Sequence, residues 1–196
     1  MVFRKSVIRL AAKCRLKAQP FMAHFATVTA GKDLQEMVVE PDTYQVSAES
    51  MLMIADLKGA LALCLHDEGR GVGGLLHLRF MGNTGRPSDI TDNTLSSVLV
   101  VLDKFKRAVM GNTRRMDDIQ ARVLAHALPP TDAAEPTANL VDLIKADLAE
   151  MRIQCGTQMV RRSEPVRVCF QPYEGRVWLA GPSDVRAVAK AQRSVG

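Results

Sequence analysis

Aromatic residues are scarce in this chain of 196 residues, because Phe, Tyr and Trp together make up 5% of it. Proteins that bind single-stranded nucleic acid stack bases on aromatic rings beside a basic groove. Beyond the first seventeen residues, the basic side chains are scattered among acidic ones. The composition therefore predicts no nucleic-acid partner.

Long apolar runs and paired cysteines are also missing. No run approaches the roughly 20 apolar residues that a membrane-spanning helix needs. The four cysteines show no C-x-x-C spacing and are too few for a disulfide scaffold: Cys14, Cys64, Cys155 and Cys169. With 47% hydrophobic residues the chain has enough apolar surface to bury one core. We expect one soluble domain in the reducing cytoplasm.

Acidic residues are absent before Asp33, whereas basic residues are frequent in the first seventeen positions. The net charge of +5 therefore belongs to an N-terminal arm, which we place at residues 1–35. One interpretation is an amphipathic basic helix that contacts acidic lipid or protein surfaces. The other is an unstructured leader. The arm lacks the continuous apolar segment of a secretory signal.

The rest of the chain alternates between strand and helix patterns. Helical periodicity predicts helices over 92–110 and 137–151, separated by a strand and a loop at 129–136. Apolar runs bounded by turn residues predict strands at 37–39, 44–46, 51–54, 61–65, 72–80, 119–125, 153–159, 166–170 and 177–179. This order predicts a mixed α/β or α+β sandwich over residues 36–181, followed by a flexible tail at 182–196.

One part of the chain is more informative than the rest. The stretch Lys58-Gly59-Ala60 opens an apolar strand ending Cys64-Leu65-His66-Asp67, and Val72-Gly73-Gly74-Leu75-Leu76-His77 follows. Pro41-Asp42 and Tyr44 precede it. The two predicted helices and then Val166-Arg167-Val168-Cys169-Phe170-Gln171-Pro172 come after it, closed by Gly175-Arg176-Val177. In order and spacing these segments, from about Val38 to Leu179, resemble the CheD family, the chemoreceptor glutamine deamidases of bacterial chemotaxis.

The resemblance implies an α+β fold, an α/β sandwich of mixed, largely antiparallel β-sheets packed with two main helices. It also implies hydrolysis of receptor glutamine amides by a cysteine nucleophile and a histidine base. The histidine that follows the family's Gly-Gly pair falls on His77. The family's Gly-Ser-Cys falls on Lys58-Gly59-Ala60, so alanine stands where the nucleophile is expected, and a methyl group has no lone pair with which to attack.

Three further family positions are changed. A hydroxyl-bearing residue is expected about six positions before the nucleophile, and this position falls on Ile54. The segment resembling Phe-Gly-Gly-Ala reads Leu124-Ala125-His126-Ala127, and the late Gly-Gly region reads Val160-Arg161-Arg162-Ser163. These changes favour a catalytically inactive homologue that needs no cofactor and binds the cytoplasmic domain of a methyl-accepting chemoreceptor or another chemotaxis protein.

Two alternatives remain at this point. The chain is an active protein-glutamine deamidase if another thiol replaces the missing one, but Cys64 lies four residues, or about 13 Å, along the strand from Ala60. A metal site formed by Cys64, His66, Asp67 and His77 is disfavoured because no second closely spaced ligand pair supports it. We interpret Cys64, Cys155 and Cys169 as small buried hydrophobic residues.

Overall fold

The computed structural model describes residues 34–79, 92–111, 116–127 and 134–180. The predicted C-terminal tail and almost all of the predicted basic arm lie outside the described residues. Within these ranges the chain forms nine strands and two α-helices: β1 Gln35–Val38, β2 Thr43–Ser47, β3 Met51–Leu57, β4 Ala60–Asp67, β5 Val72–Arg79, α1 Asp92–Met110, β6 Ile119–Ala127, α2 Ala134–Glu150, β7 Gln154–Arg161, β8 Val166–Gln171 and β9 Arg176–Ala180.

The strands form two sheets. One has the order β1-β3-β8-β9 and the other has the order β2-β5-β4-β6-β7. Two neighbouring pairs, β1 with β3 and β6 with β7, are parallel, and the other described pairs are antiparallel. The predicted α+β sandwich of mixed, largely antiparallel sheets with two main helices is therefore confirmed.

Strand β4 lies at the centre of the five-stranded sheet, and all of its eight residues are buried. Because successive side chains of a strand point to opposite faces, β4 serves two layers at once. Its leucines face α1 and α2 in what we call the helix-facing layer. Together with residues of the neighbouring strands and both helices, this layer includes Leu61, Leu63, Leu65, Leu76, Leu78, Leu102, Phe105, Val109, Val123, Ile144 and Leu148. Its small residues face the other sheet in what we call the inter-sheet layer, which includes Met53, Ala55, Leu57, Ala60, Ala62, Cys64, Leu75, Leu124, Val168 and Phe170.

The helices are held to the five-stranded sheet and to each other by apolar packing and one ion pair. Lys106 of α1 places its Nζ 2.6 and 2.8 Å from the carboxylate oxygens of Asp147 on α2. Helix α1 ends as predicted at Gly111, whose φ of 48° is left-handed and whose amide donates to the Arg107 carbonyl. No described helix is long and apolar enough to cross a membrane.

Helix α2 begins at Ala134, three residues earlier than predicted. The predicted loop extended to Pro136 because proline usually interrupts a helix. In the first turn, however, the backbone amides have no intrahelical acceptor, so a residue without an N–H is tolerated there.

Candidate functional site

Three buried histidines lie on the inter-sheet face of the five-stranded sheet. His66, His77 and His126 are 7%, 3% and 0% exposed. The strand register pairs His77 with Ala62 and His126 with Ala60, and directly paired residues point to the same face. The buried histidines of this layer therefore lie on β4, β5 and β6, that is, on the strands that carry Ala60 and His77 and on the neighbouring strand.

His77 is held in a defined orientation by the segment that joins β1 to β2. Its Nδ1 lies 3.0 Å from the carbonyl oxygen of Val39. Because a carbonyl only accepts hydrogen bonds, Nδ1 carries the proton and donates it. In the neutral ring Nε2 then has a free lone pair, and among the described residues this buried atom has no hydrogen-bond partner. Nε2 is therefore the ring atom that is available to accept a proton.

The same segment also fixes the end of β5. Asp42 has a left-handed φ of 62°, and its amide donates to the His77 carbonyl at 2.7 Å. Its carboxylate accepts from the Arg79 amide at 3.0 Å and from the Arg79 guanidinium at 2.6 and 2.9 Å. The Pro41-Asp42 turn thus helps to position His77.

Ala60 lies on the same face as His77 and is 1% exposed. It pairs with Arg79 on β5, two residues from His77, which makes Ala60 and His77 diagonal neighbours. Diagonal neighbours in an antiparallel pair are about 7–8 Å apart between Cα atoms, within reach of a longer side chain at position 60. The structure therefore brings the two predicted site positions together, with the attacking atom missing.

His126 lies on the other side of Ala60, and both of its ring nitrogens are engaged. Nδ1 accepts from the Gly59 amide at 3.1 Å, and Nε2 donates to the Glu164 carbonyl at 2.9 Å. Sequence reasoning noted His126 only as a changed glycine position. The alternation of β6 was the available signal, because it places residue 126 on the face of β4 that carries Ala60.

Ile54 belongs to a different face of the molecule. Its neighbours Met53 and Ala55 pack in the inter-sheet layer, and the strand alternation turns Ile54 to the outer side of the four-stranded sheet. We predicted that Ile54 marks a lost hydroxyl of the site. In this fold its side chain points away from His77, so its identity does not affect the site directly.

Cys64 is nearer to His77 than the sequence argument allowed. Cys64 is distant from Ala60 along β4, but His77 pairs with Ala62, so Ala60 and Cys64 are each one diagonal away from His77. Cys64 nevertheless makes no hydrogen bond to the unpartnered Nε2. Burial raises the pKa of the Cys64 thiol far above its ordinary value, which Arg122 offsets only in part, so the nucleophilic thiolate is disfavoured.

The other described cysteines lie outside the inter-sheet layer. Burial raises the pKa of Cys169, on β8, to about 11 against the lowering effect of Arg167. Burial also raises the pKa of Cys155, on β7, where it packs against the helix-facing layer. Cys169 is buried, as interpreted from the sequence, whereas Cys155 is only partly buried.

The residues of the disfavoured metal site are engaged separately. His66 Nε2 donates to the Tyr173 carbonyl at 3.3 Å, whereas Asp67 accepts from the Arg70 amide at 3.1 Å on the opposite face of β4. Within the part of the chain that the structure describes, no three His, Cys, Asp or Glu side chains gather as a metal site would require.

Gly73 and Gly74 serve close packing, one in each layer. A Cβ on Gly73 would lie 2.5 Å from the carbonyl oxygen of Pro172, the residue that follows β8 of the four-stranded sheet. A Cβ on Gly74 would lie 2.6 Å from the Phe105 ring of α1. These distances are shorter than any van der Waals contact, so the glycine pair lets β5 approach both of its neighbours.

Comparison with known proteins identifies relatives of this chain by sequence. No family model matches the sequence. Over 143 residues, or 71% of its length, the chain is 24% identical to probable chemoreceptor glutamine deamidases CheD from two strains of Burkholderia orbicola, and it covers 57% of each. It is 22% identical to a probable chemoreceptor glutamine deamidase CheD from Burkholderia thailandensis, of which it covers 60%. The chain is a distant homologue of the CheD deamidases.

The chain spans less than two thirds of the length of these CheD relatives. A crystal structure of a Neisseria meningitidis protein of family DUF152 aligns with this chain at a TM-score of 0.45 and 8% identity. The alignment covers 76% of this chain and 76% of that protein. That likeness is too weak to support an argument about either fold or function.

Proposed function

We propose that the chain is a CheD-like chemotaxis protein that binds the cytoplasmic domain of a methyl-accepting chemoreceptor, or another chemotaxis protein, without deamidating it. The observation that carries this proposal is the pair formed by His77 and Ala60. The base position is kept, buried and oriented, and the residue diagonally across from it has no nucleophilic atom.

Hydrolysis of a glutamine amide through a cysteine requires three groups that act together. A thiolate attacks the carbonyl carbon, an imidazole takes the thiol proton, and amide donors stabilise the oxyanion that forms. At this site the imidazole of His77 remains. Ala60 cannot attack, the nearby Cys64 thiol is held protonated by burial, and the Gly59 amide already donates to His126.

The fold supports a binding role that survives the loss of catalysis. The two sheets and both helices pack through two apolar layers, and the turn that orients His77 is held by hydrogen bonds, so the outer surface has a rigid support. A protein that binds a receptor without turnover shields its glutamines or competes with an active deamidase. In this role the chain acts in the cytoplasm, where receptor signalling domains lie.

The experiment compares binding with turnover on one receptor preparation. The full chain is mixed with a receptor cytoplasmic domain that carries its glutamines, binding is measured by calorimetry, and glutamine-to-glutamate conversion is measured by mass spectrometry. We expect binding without conversion. The Burkholderia orbicola relative serves as the control for a competent substrate.

Two results would contradict the proposal. Absence of binding to any receptor or chemotaxis protein would remove the partner assignment. Conversion by the wild-type chain would restore the enzyme interpretation. The Cys64→Ala variant would then decide whether Cys64 is the displaced nucleophile, because the activity should be lost in this variant if it is.

A further inference from the structure

Two of the chain crossings between the sheets meet at one corner of the sandwich. The turn at Lys58-Gly59 carries the chain from β3 to β4, and residues 162–165 carry it from β7 back to β8. Leu57 pairs with Val166, so the crossings lie side by side. We call Lys58, Gly59 and residues 162–165 the crossover corner.

His126 joins both crossings of this corner. Its ring accepts a hydrogen bond from the Gly59 amide of one crossing and donates one to the Glu164 carbonyl of the other. The ring is 0% exposed, and Ala60, which pairs with it, is 1% exposed. Because burying an amide or a carbonyl without a partner is unfavourable, His126 holds the corner closed.

We infer that His126 is a closing residue. Its ring seals the site beside Ala60 and keeps the Gly59 amide, the backbone donor next to that site, occupied. A glutamine side chain can reach position 60 only if the crossings separate or the ring moves. The resemblance places a Gly-Gly stretch at this segment, and a glycine has no side chain with which to form the two hydrogen bonds that His126 makes. The loss of function at this site is therefore double: the thiol is missing and the entrance is filled.

This inference deepens the proposed function, because it concerns the same site, but its test needs no receptor. A thiol placed at position 60 reports whether the corner is open. We compare the alkylation rates by iodoacetamide of three folded variants: Ala60→Cys, Ala60→Cys with His126→Ala, and Ala60→Cys with His66→Ala. Peptide fragmentation distinguishes residue 60 from Cys64.

His66 is the matched control for His126. Both are buried histidines on the same face of the same sheet, and each is bonded to a backbone carbonyl. His66 contacts Tyr173, in the turn between β8 and β9, rather than the crossover corner. Its removal lowers stability generally without opening the corner.

We expect the His126→Ala background to accelerate alkylation of residue 60 by about 10- to 100-fold, the opening expected from losing buried hydrogen bonds. The His66→Ala background should change it by less than about 3-fold, since opening there does not reach residue 60. Equal acceleration in both backgrounds, or rapid labelling of Ala60→Cys alone, would overturn the inference.

A measurement on the wild-type chain covers the case in which the His126 variant does not fold. Hydrogen exchange followed by NMR should place the Gly59 amide among the slowly exchanging amides, close to those of β4. Fast exchange of Gly59 in the folded chain would show that the corner is open and would also overturn the inference. If the receptor assay fails while labelling and exchange behave as expected, the closing role stands without the partner assignment.

Discussion

The two faces of the five-stranded sheet differ in what they bury. The helix-facing layer is built mainly from large aliphatic and aromatic side chains, and the buried charged groups on this side are paired, Lys106 with Asp147 and Asp67 with the Arg70 amide. The inter-sheet layer takes Ala60, Ala62 and Cys64 from the same strand and lies against three buried histidines. On one face β4 therefore buries leucines, and on the other it buries small residues beside three histidines, where the resemblance places a catalytic site.

Truncating adjacent residues of β4 tests the difference between the two layers most directly. Leu63→Ala should lower the free energy of unfolding by about 2–5 kcal/mol, because it leaves a cavity in the helix-facing layer. Cys64→Ala, one residue along but in the inter-sheet layer, removes a single sulfur atom and should cost about 1 kcal/mol. Urea unfolding of both variants measures the difference, and equal losses would show that the two layers are not distinct.

The next largest effect tests the close approach of the two sheets. Gly73→Ala should lower the free energy of unfolding by about 1–3 kcal/mol, since its Cβ would overlap the backbone of Pro172. Gly156→Ala on β7 is the control, because its Cβ would meet no atom closer than 3.9 Å. Thermal unfolding should separate the pair, and a stable Gly73→Ala protein would mean that the sheets pack less closely than described.

Unfolding at alkaline pH tests whether water reaches the inter-sheet layer. Burial raises the pKa of Cys64 in the folded chain, whereas the unfolded thiol titrates near 9.0. The unfolded state then loses its proton first, so the stability from this group is complete below pH 9 and falls as the pH rises further. The expected slope is about 1.4 kcal/mol per pH unit for each such thiol.

Urea unfolding at pH 8, 9 and 10 measures this slope in the wild-type chain and in Cys64→Ala. The variant should lose less stability between pH 9 and 10, with Cys169 still contributing up to its folded pKa of about 11. Identical slopes would show that solvent reaches Cys64 and that the layer is wet.

The smallest expected effect on stability comes from restoring the thiol. Ala60→Cys adds one sulfur atom to the inter-sheet layer and should change the free energy of unfolding by less than about 1.5 kcal/mol. Because His126 still occupies the Gly59 amide, we expect no glutamine conversion in the receptor assay. Activity from this single substitution would show that the remaining site is competent and accessible.

Much of the fold was predictable from local pattern. The turn residues and apolar runs placed each strand within a few residues of its observed position. Gly111 marked the end of α1 because the residue after the last helical turn takes a left-handed conformation, which favours glycine. The start of α2 was misplaced because Pro136 looks like a helix breaker, although the first helical turn tolerates it. The assignment of Ile54 to the site failed because counting residues along the chain does not show which face of a strand a side chain occupies when the sheets are unknown.

The sequence by itself determined that position 60 holds alanine and that a histidine follows the Gly-Gly pair, since residue identity alone decides whether a nucleophilic atom exists. Only the tertiary structure decided what surrounds these residues. The Val39 carbonyl, the Gly59 amide and the Glu164 carbonyl are backbone groups, present at almost every residue, and no sequence pattern marks the ones that will be used. Their hydrogen bonds to His77 and His126 exist because strands far apart in sequence pair in one register.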